Sequence, residues 1–218
     1  MPASTTTTEK KPKQSIRRYG IVPRLVLFNN TIFFLLWFSC LIRFLILLPL
    51  VGRRFLPGAI SEFYQLILTC SFISQVGLSL AGIIPVSRKK LGLKVFKLLH
   101  GLLVTWGVIF HYPKITKHSA YGVLVFCSCC QETLDYLYYL LPNSLWRFFS
   151  KKSFVLLFPV QKACEMVLIM LCLKFNRQYD AEYLHNYEYF YGVFLKAVLI
   201  MYIPASCIIF RYLWKSRQ

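Results

Sequence analysis

The chain has 218 residues, of which 57% are hydrophobic and only 16% charged, with a formal net charge of +18. A soluble domain carries about 45–50% apolar and about 25% charged residues. The charges here cluster between apolar runs of about 20 residues, which excludes a soluble globular enzyme. The basic excess is spread over the ends of those runs rather than gathered on one face, which excludes a nucleic-acid-binding surface.

Residues 1–20 are polar and basic, with no apolar h-region, and are expected to form a disordered basic N-terminal tail rather than a cleaved signal. Apolar runs follow at residues 24–50, 60–84, 91–111, 121–141, 153–175 and 189–214. Each has roughly the 20 residues that a helix needs to cross about 30 Å of hydrocarbon. Between them stand Arg53-Arg54 with Pro57-Gly58, Pro85 with Arg88-Lys89-Lys90, Lys114 with Lys117, Pro142-Asn143, and a polar stretch with Asp180, Glu182 and Glu188. The expectation is an all-α, polytopic membrane protein, six transmembrane helices in a bundle over residues 21–218. Of the 26 Lys and Arg residues, 15 fall on the N-terminal side of the membrane in that scheme, 6 on the other and 5 within spans. Basic residues stay in the cytosol, so both termini are expected there.

The sequon Asn29-Asn30-Thr31 lies at the cytosolic end of the first run, out of reach of glycosylation. All eight cysteines lie within apolar runs and read as small buried hydrophobes. Cys127, Cys129 and Cys130 lack the spacing of zinc ligands, so no metal site and no cofactor are expected.

Ionisable residues inside spans are expensive, which makes them functional candidates. Arg43, Lys94, Lys97, Glu132, Asp135, Lys162, Glu165 and Lys196 qualify. Glu132, Asp135, Tyr136 and Tyr139 recur at i, i+3, i+4 and i+7, one stripe of the fourth span. Phe158, Lys162 and Glu165 form a similar stripe on the fifth, and Lys94, Lys97 and Gly101 on the third. These faces are expected to turn toward each other. They enclose a polar cavity, or else form buried ion pairs, Lys162 with Asp135 for example, that only hold the bundle. Arg43 and Lys196, nearer the span ends, are expected to snorkel. A transporter is disfavoured because no pair of Gly- or Pro-broken spans with repeat symmetry is visible.

Six ordered stretches carry a resemblance: "LVLFNN", "GIIP", "LLVTWGVI", "QETLDYLYYLL", "FVLLFPVQKACE" and "YIPASCIIFRYLWKSR", spread over residues 20–218. The chain resembles the very-long-chain 3-hydroxyacyl-CoA dehydratases, also called protein-tyrosine-phosphatase-like proteins. The resemblance implies a six-helix protein of the endoplasmic reticulum membrane that removes water from a very-long-chain 3-hydroxyacyl-CoA to give the trans-2-enoyl-CoA. That reaction is the third step of fatty-acid elongation, so other elongation enzymes are implied partners, with the lipid bilayer around them.

The resemblance also implies a catalytic Tyr and Glu seven residues apart on the fifth helix, because dehydration needs a base for the C2 proton and an acid for the departing hydroxyl. Glu165 stands at the Glu position, but the Tyr position is Phe158. Asn29, Trp106, Glu132, Tyr136, Pro159 and Glu165 keep the family pattern. Gln75, Leu78, His100, Gly101, Asp135, Ser150 and Lys151 depart from it. Tyr136, Tyr139 or Lys162 are the candidate substitutes for the missing hydroxyl, with Glu132 and Asp135 beside them. Lys162 is equally placed to neutralise Glu165. Two readings therefore stand: a working dehydratase with a rearranged acid–base set, or a catalytically impaired relative that serves as a membrane scaffold or elongase-complex partner.

Overall fold

The computed structural model describes residues 21–81, 95, 98–141, 143–179 and 185–217. The N-terminal tail, the Arg88-Lys89-Lys90 cluster, Lys94, Lys97, Asp180 and Glu182 lie outside the described residues. Among the described residues every regular element is helical: α1 (Ile21–Leu80), α2 (Leu98–Ile109), a short 3-10 turn (Pro113–Lys117), α3 (Ser119–Leu140), α4 (Ser144–Tyr179) and α5 (His185–Arg217).

The first expected loop, around Arg53 to Gly58, is not a loop, because the backbone stays helical from Ile21 to Leu80. Yet α1 is not a straight rod. Ser74 Oγ donates to Asn29 Oδ1 at 2.7 Å, whereas 45 intervening rises of 1.5 Å would part them by about 67 Å. Trp37 likewise meets Tyr64 edge-on at 6.0 Å, and Arg43 lies 5.4 Å over the Phe63 ring. The chain therefore doubles back between Arg43 and Ile60, where Pro49 and Pro57 withhold N–H donors and weaken the helical ladder. Two antiparallel arms result, each with its apolar stretch, Pro23–Leu50 and Ile60–Leu80.

α2 is wound as a wide π-helix over Leu103–Ile109. Tyr191 of α5 donates to the Gly107 carbonyl inside that segment, so the loosened turn is bonded by a neighbouring helix. His118 caps α3, its Nδ1 accepting from the Ala120 N–H at 3.2 Å. α3 is the central helix, packed against α1 on one side and α4 on the other, and α5 rests mainly on α4. That central position explains why α3 carries so many polar residues: Ser128, Gln131 and Thr133 are buried in protein rather than in lipid. α4 begins nine residues before the expected start of the fifth span, so the segment with Ser150 and Lys151 is helix rather than loop.

The burial pattern is that of a protein in lipid. Trp37, Tyr64, Tyr121, Leu124, Leu168 and Leu195 are sealed inside, while Phe28, Leu50, Ile73, Leu156, Ile200 and Ile208 project outward. Among the described residues, four helical stretches are long and apolar enough to cross a membrane: Pro23–Leu50, Ile60–Leu80, Ser144–Asn176 and Tyr189–Tyr212. α2 and α3 fall short of that standard, one through length and the other through its polar face. Arg43 and Lys196 are both exposed on the outside of the helices rather than turned into the bundle.

Candidate active site

α4 presents an inward stripe with helical spacing: Phe154, Phe158, Gln161, Lys162, Glu165, Leu168, Ile169, Cys172 and Asn176 are all buried. Within this mostly apolar stripe sit two opposite charges. Glu165 is 1% exposed and Lys162 3% exposed. Lys162 Nζ donates to Glu165 Oε2 at 2.6 Å, and Gln161 Nε2 donates to Oε1 of the same carboxylate at 3.2 Å. One carboxylate thus receives donors from two side chains of its own helix, one turn back. Tyr64, whose hydroxyl donates to Ser128 Oγ at 3.2 Å, lies within electrostatic reach of it.

The remaining side chains come from α2 and α5. Lys162 Nζ also donates to the Tyr202 hydroxyl at 3.3 Å, and His100 stacks flat on the Tyr202 ring at 4.6 Å. Phe158 fills no polar role. It packs into an aromatic cluster with Phe154 at 5.0 Å and Phe210 at 5.8 Å, and with Ile209. Gln161 Oε1 and, one turn beyond Tyr202 on α5, Ser206 Oγ are buried with no hydrogen-bond partner among the described residues. Unspent buried polar atoms cost free energy in the closed bundle, and a polar ligand beside Gln161, which already bonds Glu165, would satisfy Oε1 of its amide.

The fourth-span stripe does not join this centre as a unit. Successive helical residues point about 100° apart, so Asp135 and Tyr136 face different neighbours. Tyr136 is buried against the second arm of α1, where its hydroxyl accepts from Gln75 Nε2 at 2.9 Å and shares a 3.2 Å hydrogen bond with Ser71. Its ring stacks on Phe33 at 6.0 Å. Asp135 accepts from the Ser150 hydroxyl of α4 at 2.8 Å, so the anticipated Lys162–Asp135 pair gives way to Lys162–Glu165. Glu132 is half-buried near Tyr136, and Tyr139 is 48% exposed. Of the substitutes named from sequence, only Lys162 touches Glu165. Tyr202 was missed. The signal for it is a seven-residue spacing, since Leu195, Tyr202 and Ile209 are one fully buried stripe of α5 in which a phenol stands among aliphatic residues.

Residues 78–218 match the family described as protein tyrosine phosphatase-like protein, PTPLA. The chain belongs to that family. The matched segment contains Glu165, Lys162, Tyr202 and His100 together, whereas Tyr64 on α1 precedes it. The chain is also 25% identical over 202 residues, 87% of its length and 89% of the relative's, to the very-long-chain (3R)-3-hydroxyacyl-CoA dehydratase PASTICCINO 2 of Arabidopsis thaliana. It is 22% identical over 182 residues, 77% of its length and 79% of the relative's, to PASTICCINO 2A of Oryza sativa subsp. japonica, named as the same dehydratase. No solved structure matches this PTPLA chain.

Proposed function

We propose that this protein is a membrane-embedded dehydratase that removes water from a very-long-chain 3-hydroxyacyl-CoA, with Glu165 as the base. The observation that carries the reading is the buried Glu165 carboxylate, held by Gln161 and Lys162 at the place where the family resemblance puts its catalytic Glu. The names of the two plant relatives supply the substrate class. A thioester acidifies its C2 proton, and a carboxylate positioned out of water can take it. The Lys162 ammonium balances negative charge that builds up during the reaction, in a site where water does not screen it.

In this reading the two arms of α1 and α2 to α5 make six crossings, with both termini in the cytosol, in the endoplasmic reticulum membrane beside the other elongation enzymes. Residues 21–218 form the dehydratase domain behind a basic tail. The charge bias across the spans supports that orientation. A glycosylation acceptor inserted after Asp180 is expected to be modified and one inserted after Lys11 is not; the reverse pattern would overturn the topology.

A second reading has its own observation. Phe158 supplies no proton, and its ring closes an aromatic cluster beside a Glu165 that is 1% exposed. Such a centre suits a catalytically impaired scaffold. The two readings separate in one experiment on the purified full chain in lipid nanodiscs, given a long-chain 3-hydroxyacyl-CoA and assayed for enoyl-CoA. Product from the wild type, lost in Glu165→Gln, is the expected result. No product from the wild type, with activity appearing in Phe158→Tyr, would establish the impaired reading.

A further inference from the structure

The absent hydroxyl at Phe158 has a counterpart on the facing helix. Lys162 Nζ lies 5.6 Å from the centre of the Phe158 ring and 5.4 Å from that of Tyr202. Two aromatic rings, one from α4 and one from α5, flank the same ammonium at nearly the same distance. Of the two, only Tyr202 bears a hydroxyl, and its oxygen accepts from Lys162 at 3.3 Å. A phenol that accepts from an ammonium keeps its own proton free to donate. The Tyr202 ring is 1% exposed and held flat against His100 with an interplanar angle of 10°. The unspent Ser206 hydroxyl lies one turn further along α5. Glu165 Oε2 and Tyr202 Oη both contact one ammonium, so they are no more than about 6 Å apart, a span suited to an acid and a base acting on adjacent carbons.

We infer that Tyr202 is the general acid of this protein and that Lys162 is the relay returning the proton from Glu165 to it; the inference rests on the dehydratase reading above. The steps balance. Glu165 takes the C2 proton and becomes a neutral carboxylic acid, and the C2–H electron pair becomes the C2–C3 π bond. The C3–O bond breaks with its electron pair, and the departing hydroxyl takes the phenolic proton of Tyr202 and leaves as water. The resulting phenolate faces the Lys162 ammonium. Lys162 then gives a proton to the phenolate and accepts the one held by Glu165, which restores the starting state. No oxidant, metal or cofactor enters the balance.

The test uses two substrates and the full chain in nanodiscs: a long-chain 3-hydroxyacyl-CoA, whose leaving group needs a proton, and its 3-chloro analogue, whose chloride does not. Tyr202→Phe is expected to slow enoyl-CoA formation from the hydroxy substrate by about 10²–10⁴-fold while keeping the wild-type rate of chloride release. Glu165→Gln is expected to lose both. Tyr202→Phe that loses both reactions equally would reduce Tyr202 to a packing role and overturn the inference. Tyr202→Phe that loses neither would overturn it as well. A wild type that turns over neither substrate would overturn the dehydratase reading itself, and the inference with it.

Discussion

Removing the Lys162 ammonium gives a sharp test of the centre. The Lys162 and Glu165 groups meet at 2.6 Å with almost no exposure. At an effective dielectric constant of about 20, their attraction is roughly 6 kcal/mol, much of it offset by the desolvation of both ions. Lys162→Met leaves Glu165 as a buried, uncompensated charge, which costs about 3–5 kcal/mol. At about 2–4 °C per kcal/mol for a chain of this size, thermal unfolding in nanodiscs is expected to fall by roughly 6–20 °C. The double variant Lys162→Met with Glu165→Gln removes both charges and keeps the shape. Because an apolar or neutral replacement of a buried pair is often neutral, its Tm is expected to return close to that of the wild type. Equal losses in the single and double variants would refute the reasoning, since the cost would then lie in packing and not in the stranded charge. A single variant as stable as the wild type would refute it too.

Tyr136→Phe removes a hydroxyl bonded to Ser71 and Gln75, not to Glu165; stability is expected to fall by about 1 kcal/mol with the dehydration rate unchanged, as rate and Tm measured together will determine. Phe158→Leu is expected to leave the dehydration rate unchanged, whereas Phe158→Ala opens a cavity in the Phe154–Phe210 cluster and costs about 3–5 kcal/mol, read as a loss of Tm. A Cβ added at Gly192 would come within 2.9 Å of the Asn176 amide, whose oxygen accepts from Tyr112. Gly192→Ala is therefore expected to disturb that bond and lower stability by about 1 kcal/mol, and a Tm equal to that of the wild type would show that Asn176 shifts without cost.

Hydrophobic runs and the clustering of charge are properties of the chain itself, so the helical class and its membrane character were readable before any contact was known. The same holds for the stripe of Phe158, Lys162 and Glu165, because helical spacing alone puts i, i+4 and i+7 on one face. Spacing cannot say which neighbour a face meets. Asp135 and Tyr136 are adjacent in sequence, yet one turns to Ser150 on α4 and the other to Ser71 and Gln75 on α1. The doubling back of α1 was equally hidden in part, since Pro57-Gly58 predicts a break and the backbone stays helical while the arms still pair. Lys162 had several possible partners by sequence, and only the folded bundle selects Glu165 on its own helix and Tyr202 on the next. Tyr202 stands 37 residues beyond Glu165, so no local pattern could tie the two together. The sequence alone determined a greasy helical bundle with charges inside it. The tertiary structure decided which charge meets which, because that depends on how separate helices turn their faces to one another.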